Sequence, residues 1–391
     1  MSEIDHFFSP VAVEEILDNA QLKEFQFGNL FAIHTEGDFP DISNVSIAIV
    51  GVLEDRHAEN NEGCRLAPDA VRSYLYKLYG GSFDLNVADL GNINAGHSSE
   101  DTYFALRSTI DYLIRKNIVP IIIGGSQDLT YPQFLGYKDL EQTINVVAID
   151  SVFDFGNPDL EISNTSYLGK IILYQPNYLF NYSNIGYQTY LVDQASLQMM
   201  NKLYFDVYRL GTVRDKIEEA EPIIRQADML SFDMTAIKHS DAPANPNASP
   251  NGFYAEEACQ MMRYAGMNDK LSSIGIYEIN PAFDESGKTS HLAAQMIWCF
   301  MDGFYNRKND FPNRTSPDYT RFHVILQDDK YEINFYKSKK SDRWWMEIPY
   351  PPHKDLKFER HTLIPCSYKD YELATNNEIP DRWWQTYQKL S

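Results

Sequence analysis

Three stretches decide the fold: GGSQDLT (Gly124–Thr130), AIDSVFDFG (Ala148–Gly156) and LSFDMTAI (Leu230–Ile237). Each follows or completes an apolar β-type run and offers side-chain oxygens beyond it. These are Gln127 in the first, Asp150 and Asp154 in the second, and Asp233 in the third. The runs are apolar throughout instead of alternating, which is the pattern of strands buried on both faces of a parallel sheet between helical layers. Ligands in such sheets bind outside the carboxyl ends of the strands, and the oxygens fall there.

Outward from these segments the same alternation continues. Further β-type runs are Val45–Val50, Val119–Ile123, Ile144–Ile149, Lys170–Tyr174, Val207–Leu210, Met229–Phe232 and Ser272–Ile279. Between them, helical periodicity marks Leu66–Tyr79, Tyr103–Arg115, Ala195–Tyr204, Lys216–Gln226, Ala255–Tyr264 and Thr289–Phe304. The predicted organisation is a mostly helical capping segment over residues 1–44, an α/β domain over 45–308 and a β-containing extension over 309–391. In the extension, Phe322–Leu326 and Tyr331–Tyr336 flank Gln327-Asp328-Asp329-Lys330 as a hairpin. The tetrapeptide Asp-Arg-Trp-Trp occurs at Asp342–Trp345 and again at Asp381–Trp384. Trp344, Trp345, Trp383 and Trp384 are thereby candidate interface anchors, since tryptophan and arginine favour such positions. Packing within the chain is the alternative.

The net charge of −21 disfavours polyanionic partners, so neither nucleic acid nor an anionic membrane surface is expected. The charge is uneven: residues 306–391 carry 15 Lys+Arg against 13 Asp+Glu, so the excess acid lies before them. The basic cluster Lys337, Lys339, Lys340 and Arg343 is a solvated loop or a clamp on that acidic body. MSEIDHFFSP lacks the features of a signal peptide, and no apolar run is long enough to span a membrane. Four scattered cysteines without CxxC spacing fit free thiols in a cytoplasmic protein.

The three oxygen-bearing segments resemble, in order and spacing, the metal-binding segments of the ureohydrolase superfamily, which includes arginase, agmatinase and formimidoylglutamase. NEGCRLAPDAVR (Asn61–Arg72) and ADLGNI (Ala88–Ile93) are similar to early elements of that family. Asp241–Pro243 and Ser249–Phe253 are similar to its proline and glycine loop. YEINPAFDESGKTS (Tyr277–Ser290) is similar to a late segment whose glutamate faces the substrate cation, a place taken by Glu278. The resemblance implies an arginase-like three-layer α/β/α fold with a mostly parallel central sheet. It also implies a pair of manganese ions whose bridging hydroxide attacks a guanidinium or amidinium carbon, and assembly into homotrimers or hexamers.

Carried over one residue at a time, the family's ligands are not all present. The first histidine falls on Gln127, the bridging aspartate on Asp150, the next histidine on Val152 and the second aspartate on Asp154. In the third segment the bridging aspartate falls on Asp233 and the following one on Thr235. One ion keeps Gln127, Asp150, Asp154 and Asp233, and an amide oxygen can replace an imidazole for a hard cation. The other is left with Val152, which has no donor atom, and Thr235, a neutral hydroxyl. The cofactor expected is none, or a single Mn, Mg or Ca ion.

Three converging aspartates need some compensation: two carboxylates ~4 Å apart repel by about 4 kcal/mol at an effective dielectric of 20. A cation, a raised pKa, side chains turned apart, or an inserted base such as Lys238, His239 or Arg209 would each supply it. Structural roles stand beside the functional ones. Asp150 and Asp233 can cap turns, Gln127 can tie a loop, and Glu278 can pair with an internal base. The sequence favours a non-catalytic ureohydrolase-fold protein, a pseudoenzyme acting as a binding or assembly component with a protein partner through the extension. The alternative is a C–N hydrolase of a linear amidine or guanidino compound, formimidoylglutamase- or agmatinase-like, using one metal ion or an altered site.

Overall fold

The structure is a computed structural model describing residues 3–390, apart from 82, 83, 85, 141, 158, 159, 313–315, 327–330 and 351–355. Its main sheet contains β1 (Phe8–Ser9), β2 (Ala32–Ile33), β3 (Ile47–Val52), β4 (Val87–Ile93), β5 (Val119–Ile123), β6 (Ile144–Ile149), β7 (Leu179–Tyr187), β8 (Asp206–Arg209), β9 (Met229–Asp233) and β10 (Ser273–Tyr277). The spatial order is β1-β4-β3-β5-β10-β9-β6-β7-β8, with β2 beside β4. All these pairings are parallel except β1–β4.

The unbroken apolar runs explain the layering. In β3 and β5, Ile47, Ile49, Ile121 and Ile123 face one core, while Ala48, Val50, Val52 and Ile122 face the other. The first core is covered by helices Ala67–Leu75, Ala255–Met267 and Lys288–Tyr305, the second by Ser99–Arg115 and Tyr167–Leu173. This is the expected arrangement of helical layers on both faces of a mostly parallel sheet.

Two local expectations fail. Residues 170–174 are not a strand but lie at the end of the helix Tyr167–Leu173, whose Tyr167, Leu168 and Ile171 are buried at helical spacing. The strand is the later LFNYSNIGY of β7, buried along its whole length despite its polar residues. Both asparagine amides donate internally: Asn181 Nδ2 to Asp206 Oδ2 at 2.6 Å and Asn184 Nδ2 to the Val152 carbonyl at 2.8 Å. Residues 1–44 are not mostly helical either. Among the described residues their α-helices are the single turns Val13–Ile16 and Phe27–Leu30, while β1 and β2 extend the sheet edge.

The extension forms a separate antiparallel sheet of β11 (Tyr319–Leu326), β12 (Tyr331–Ser338), β13 (Trp344–Glu347) and β14 (Leu363–Cys366), followed by helices Tyr368–Thr375 and Asp381–Leu390. The expected hairpin is β11–β12; its turn, Gln327 to Lys330, lies outside the described residues. One Asp-Arg-Trp-Trp leads into β13 and the other opens the last helix. Trp344, Trp345 and Trp383 are buried within the chain. The Arg225 guanidinium lies 4.4 Å from the Trp345 ring centre, and Trp383 Nε1 donates to the Glu347 carbonyl at 3.0 Å. Trp384 alone of the four keeps an exposed face, at 38 %. In the basic cluster, Lys337 and Lys340 pair within the extension, while Arg343 reaches Glu221 of the body at 3.5 Å.

This extension caps the amino ends of the central strands, opposite the ends that carry the oxygen-bearing segments. His361 Nε2 is 2.8 Å from Thr143 Oγ1, and Lys389 Nζ donates to Asn181 Oδ1 at 2.6 Å. Asp228, immediately before β9, is the main tie. It accepts from Arg360 Nη2 at 2.6 Å and from the Asn145 backbone at 2.7 Å, and it pairs with Lys270 Nζ at 3.1 Å. Burial holds Lys270 down to about 8, against the attraction of Asp228. Among the described residues no helix is long and apolar enough to cross a membrane.

Removing the Asp228 charge leaves two cations poorly compensated at a mostly buried junction. Asp228→Asn is expected to lower stability by about 3 kcal/mol, since breaking a buried ion pair from one side typically costs 3–5. Urea denaturation followed by tryptophan fluorescence measures it; an unchanged midpoint contradicts the junction's role.

Candidate metal centre

The turn after β5 is shaped by Gly124 and Gly125. A Cβ on Gly125 would lie 1.8 Å from the Glu54 carbonyl oxygen, so only glycine admits the loop after β3 so close. The turn delivers Ser126, Gln127 and Asp128 into the interior, all fully buried. Asp150 lies one residue beyond β6 and Asp233 ends β9, the adjacent strand, so both carboxylates leave the sheet at the same rim. Asp154 reaches them from the following loop, its φ of +49° turning the chain back in the left-handed region that non-glycine residues seldom adopt.

One oxygen each from Asp150, Asp154 and Asp233 lies within 4.8 Å of the others, and all three residues are buried. The backbone fixes two of them. The Val152 N–H donates to Asp150 Oδ1 at 3.0 Å and the Thr235 N–H to Asp233 Oδ1 at 2.6 Å. Val152 and Thr235, the positions expected from the sequence to carry ligands, thus hold Asp150 and Asp233 through the main chain. Asp150 Oδ2, Asp154 Oδ2 and Gln127 Oε1 are buried without a hydrogen-bond donor. Burial, followed by the neighbouring Asp154, pushes Asp150 well above the usual carboxylate range. Burial likewise raises Asp154 to about 8, and raises Asp233 together with the charges of Asp150 and Glu278.

None of the proposed bases relieves this. Lys238 pairs with Asp241 at 3.3 Å and lies over Tyr254, while Arg209 and His239 are exposed. Among the described residues no ion pair reaches Asp150, Asp154 or Asp233.

Gln127 is both a loop tie and a potential ligand. Its Nε2 donates to Ser231 Oγ at 2.9 Å, which leaves its oxygen as the unsatisfied end. Glu278 follows β10 with φ +69°, a strained value for this residue type. Its Oε1 accepts from the Gln127 backbone at 2.8 Å and from Asn164 Nδ2 at 3.2 Å. Its Oε2 accepts from Asn61 Nδ2 at 2.7 Å and from Asn245 Nδ2 at 3.1 Å. Four donors match the roughly four acceptor positions of a carboxylate. The sequence pattern assigns no role to Asn61, Asn164 or Asn245, although Asn61 lies in and Asn245 beside segments quoted for the family. The available signal was an asparagine in each of three loops following different strands. A further buried acid, Asp128, accepts from the Ser126 and Tyr103 hydroxyls, and burial raises it to about 7.

Known proteins share this fold. The Arginase family pattern matches residues 45–302, from just before β3 to near the end of the helix Lys288–Tyr305. Formimidoylglutamase of Staphylococcus haemolyticus is 27% identical over 73% of this chain and 94% of its own length. That of Bacillus subtilis is 22% identical over 64% and 84%. Among solved structures, Trypanosoma cruzi formiminoglutamase with Mn2+ superposes with a TM-score of 0.65 at 21% identity, covering 72% of this chain and 99% of its own. Bacillus subtilis arginase gives 0.58 at 18%, covering 66% and 98%. The structural likenesses establish the fold, and with the family pattern spanning well over half of its length, the chain belongs to the arginase family.

Proposed function

We propose that the chain is a formimidoylglutamase-like hydrolase of linear amidine C–N bonds that works with one divalent cation instead of two. The observation that carries this reading is the buried triad of Asp150, Asp154 and Asp233, with oxygens within 4.8 Å and no ion-pair partner among the described residues. Those carboxylates and Gln127 Oε1 form an all-oxygen donor set that fits a hard cation such as Mn2+, Mg2+ or Ca2+. The set does not fit a second ion, because Val152 has no donor atom and Thr235 offers only a hydroxyl. The similarity to curated formimidoylglutamases supports the reaction class.

When bound, such a cation supplies Lewis acidity and lowers the pKa of water towards ~7. The chain's residues do the rest. The Val152 and Thr235 amides orient Asp150 and Asp233, and burial removes competing solvent. Glu278 positions the Gln127 backbone and is itself saturated by three asparagines, so it acts as a positioning residue. That saturation favours a second reading, a non-catalytic binding or assembly component, because the acid matched to substrate contact is already occupied. Either reading is compatible with a homo-oligomer. In the second, the exposed Trp384 face is the place for a protein partner.

Elemental analysis separates the two. The hydrolase reading expects one equivalent of divalent metal, lost in Asp150→Ala, together with release of glutamate and formamide from formiminoglutamate, or of urea from agmatine or arginine, under added Mn2+. Metal-free protein without activity supports the binding component instead. A second measurement tests the residue matching: Gln127→His with Val152→His and Thr235→Asp is expected to take up two manganese ions per chain, and a folded triple variant with none contradicts it. A third concerns stability. In chelator, Asp154→Asn is expected to raise the unfolding free energy by about 1–2 kcal/mol, as removal of a functional charge commonly does; a lower midpoint in chelator argues against an electrostatic cost at the triad.

A further inference from the structure

The sheet of the extension has two edges in different surroundings. β14 lies against the body, where Arg225 Nη2 donates to the Cys366 carbonyl at 3.2 Å. β11 is the other edge and pairs with β12 alone, over Tyr319–Leu326. Among the described residues no backbone group beyond β12 bonds to this strand. Such an edge offers a row of unpaired N–H and C=O groups to another extended chain, and folds usually blunt it with proline, a bulge, short length or charge. β11 has no proline, its register with β12 is unbroken, and Arg321 is its one residue charged at neutral pH. Its side chains alternate. Phe322, Val324 and Leu326 pack on the core of the extension, with the Phe322 ring 5.1 Å from that of Trp344. Leu326 is buried, but Phe322 and Val324 are only half-buried. Arg321, His323 and Ile325 are exposed on the other face, Ile325 at 52 %.

We propose that β11 is the contact between two copies of this chain, which pair antiparallel about a two-fold axis and join their extension sheets into one. Charge and pattern identify the occupant. Residues 306–391 carry 15 Lys+Arg against 13 Asp+Glu while the body holds the excess acid, so two copies meet with least repulsion through their extensions. A two-fold contact sets the same strand against itself. Its register has to keep core-facing residues opposite core-facing ones, because a slip of one residue sends every side chain to the wrong face. An axis through His323 does this. Val324 then lies opposite the partner's Phe322, Leu326 opposite the partner's Thr320 and Ile325 opposite the partner's Arg321. The half-buried apolar row of each copy continues into that of the other, and no like charges stand opposite each other. Axes through Phe322 or Val324 also preserve the faces. The first sets Arg321 against the partner's His323, and the second shortens the overlap from seven residues to five.

The test uses the full chain in analytical sedimentation. The native mass is expected to be an even multiple of the chain mass. Ile325→Lys brings like charge to the partner's Arg321 and is expected to halve that mass, while Ile325→Glu meets the same arginine with opposite charge and is expected to keep it. A second measurement fixes the register. Directly opposite residues of antiparallel strands have Cα atoms about 4.5–5.5 Å apart, within disulfide reach. His323→Cys is therefore expected to cross-link two chains on mild oxidation, whereas Thr320→Cys, on the same strand but opposite the partner's Leu326, and the wild type are expected to stay uncross-linked. An odd multiple for the wild type overturns the proposal. So does a mass that Ile325→Lys leaves unchanged or that Ile325→Glu halves as well, and so does a His323→Cys chain that cross-links no better than Thr320→Cys. The wild-type mass decides this even where a variant fails to fold.

Discussion

The Glu278 carboxylate binds the rim of the sheet together. It leaves β10 in a strained backbone conformation and draws in donors from Asn61, Gln127, Asn164 and Asn245. These four come from loops after β3, β5, β6 and β9. One buried charge, satisfied by neutral amides, thus sets the relative positions of the loops that carry the candidate ligands. Hydrogen bonds to a charged acceptor contribute more than neutral ones, and a half-satisfied buried network would be worse than none. This arrangement explains how the strain at residue 278 is tolerated: the surroundings over-determine it.

At the neighbouring aspartates the balance runs the other way. Asp150 and Asp154 keep one buried oxygen each without a donor, and burial raises both acids. Within a few ångströms the same rim therefore contains a carboxylate supplied with every donor it can use and a triad supplied with few. Unsatisfied buried acceptors in a native fold call for an explanation, and a hard cation is the one that the donor chemistry supports.

Much of this was legible in the sequence. The apolar runs ending at Ile123, Ile149 and Phe232 revealed a parallel sheet and its ligand-bearing edge, because burial on both faces leaves no alternation. β7 was missed for a physical reason: its asparagines and serine are buried but paired with Asp206 and with the Val152 carbonyl, and polarity then no longer marks exposure. The asparagines around Glu278 escaped notice because they are far apart in the chain and no local pattern links them. The matched positions of Asp150, Asp154 and Asp233 did come together. Glu278 came to the same rim, but with its oxygens turned to the chain's own amides.

The position of the β11–β14 sheet has a consequence for how the molecule is made. Asp228 and Asp206 receive partners from Arg360 and Lys389. A polypeptide emerging from the ribosome presents those partners only after every strand of the larger sheet has been synthesised. Until then the lower edge of the body has open polar ends and uncovered apolar area. The body is therefore completed only once the extension has been synthesised, and the interval before it is the stage at which a chaperone has most to shield.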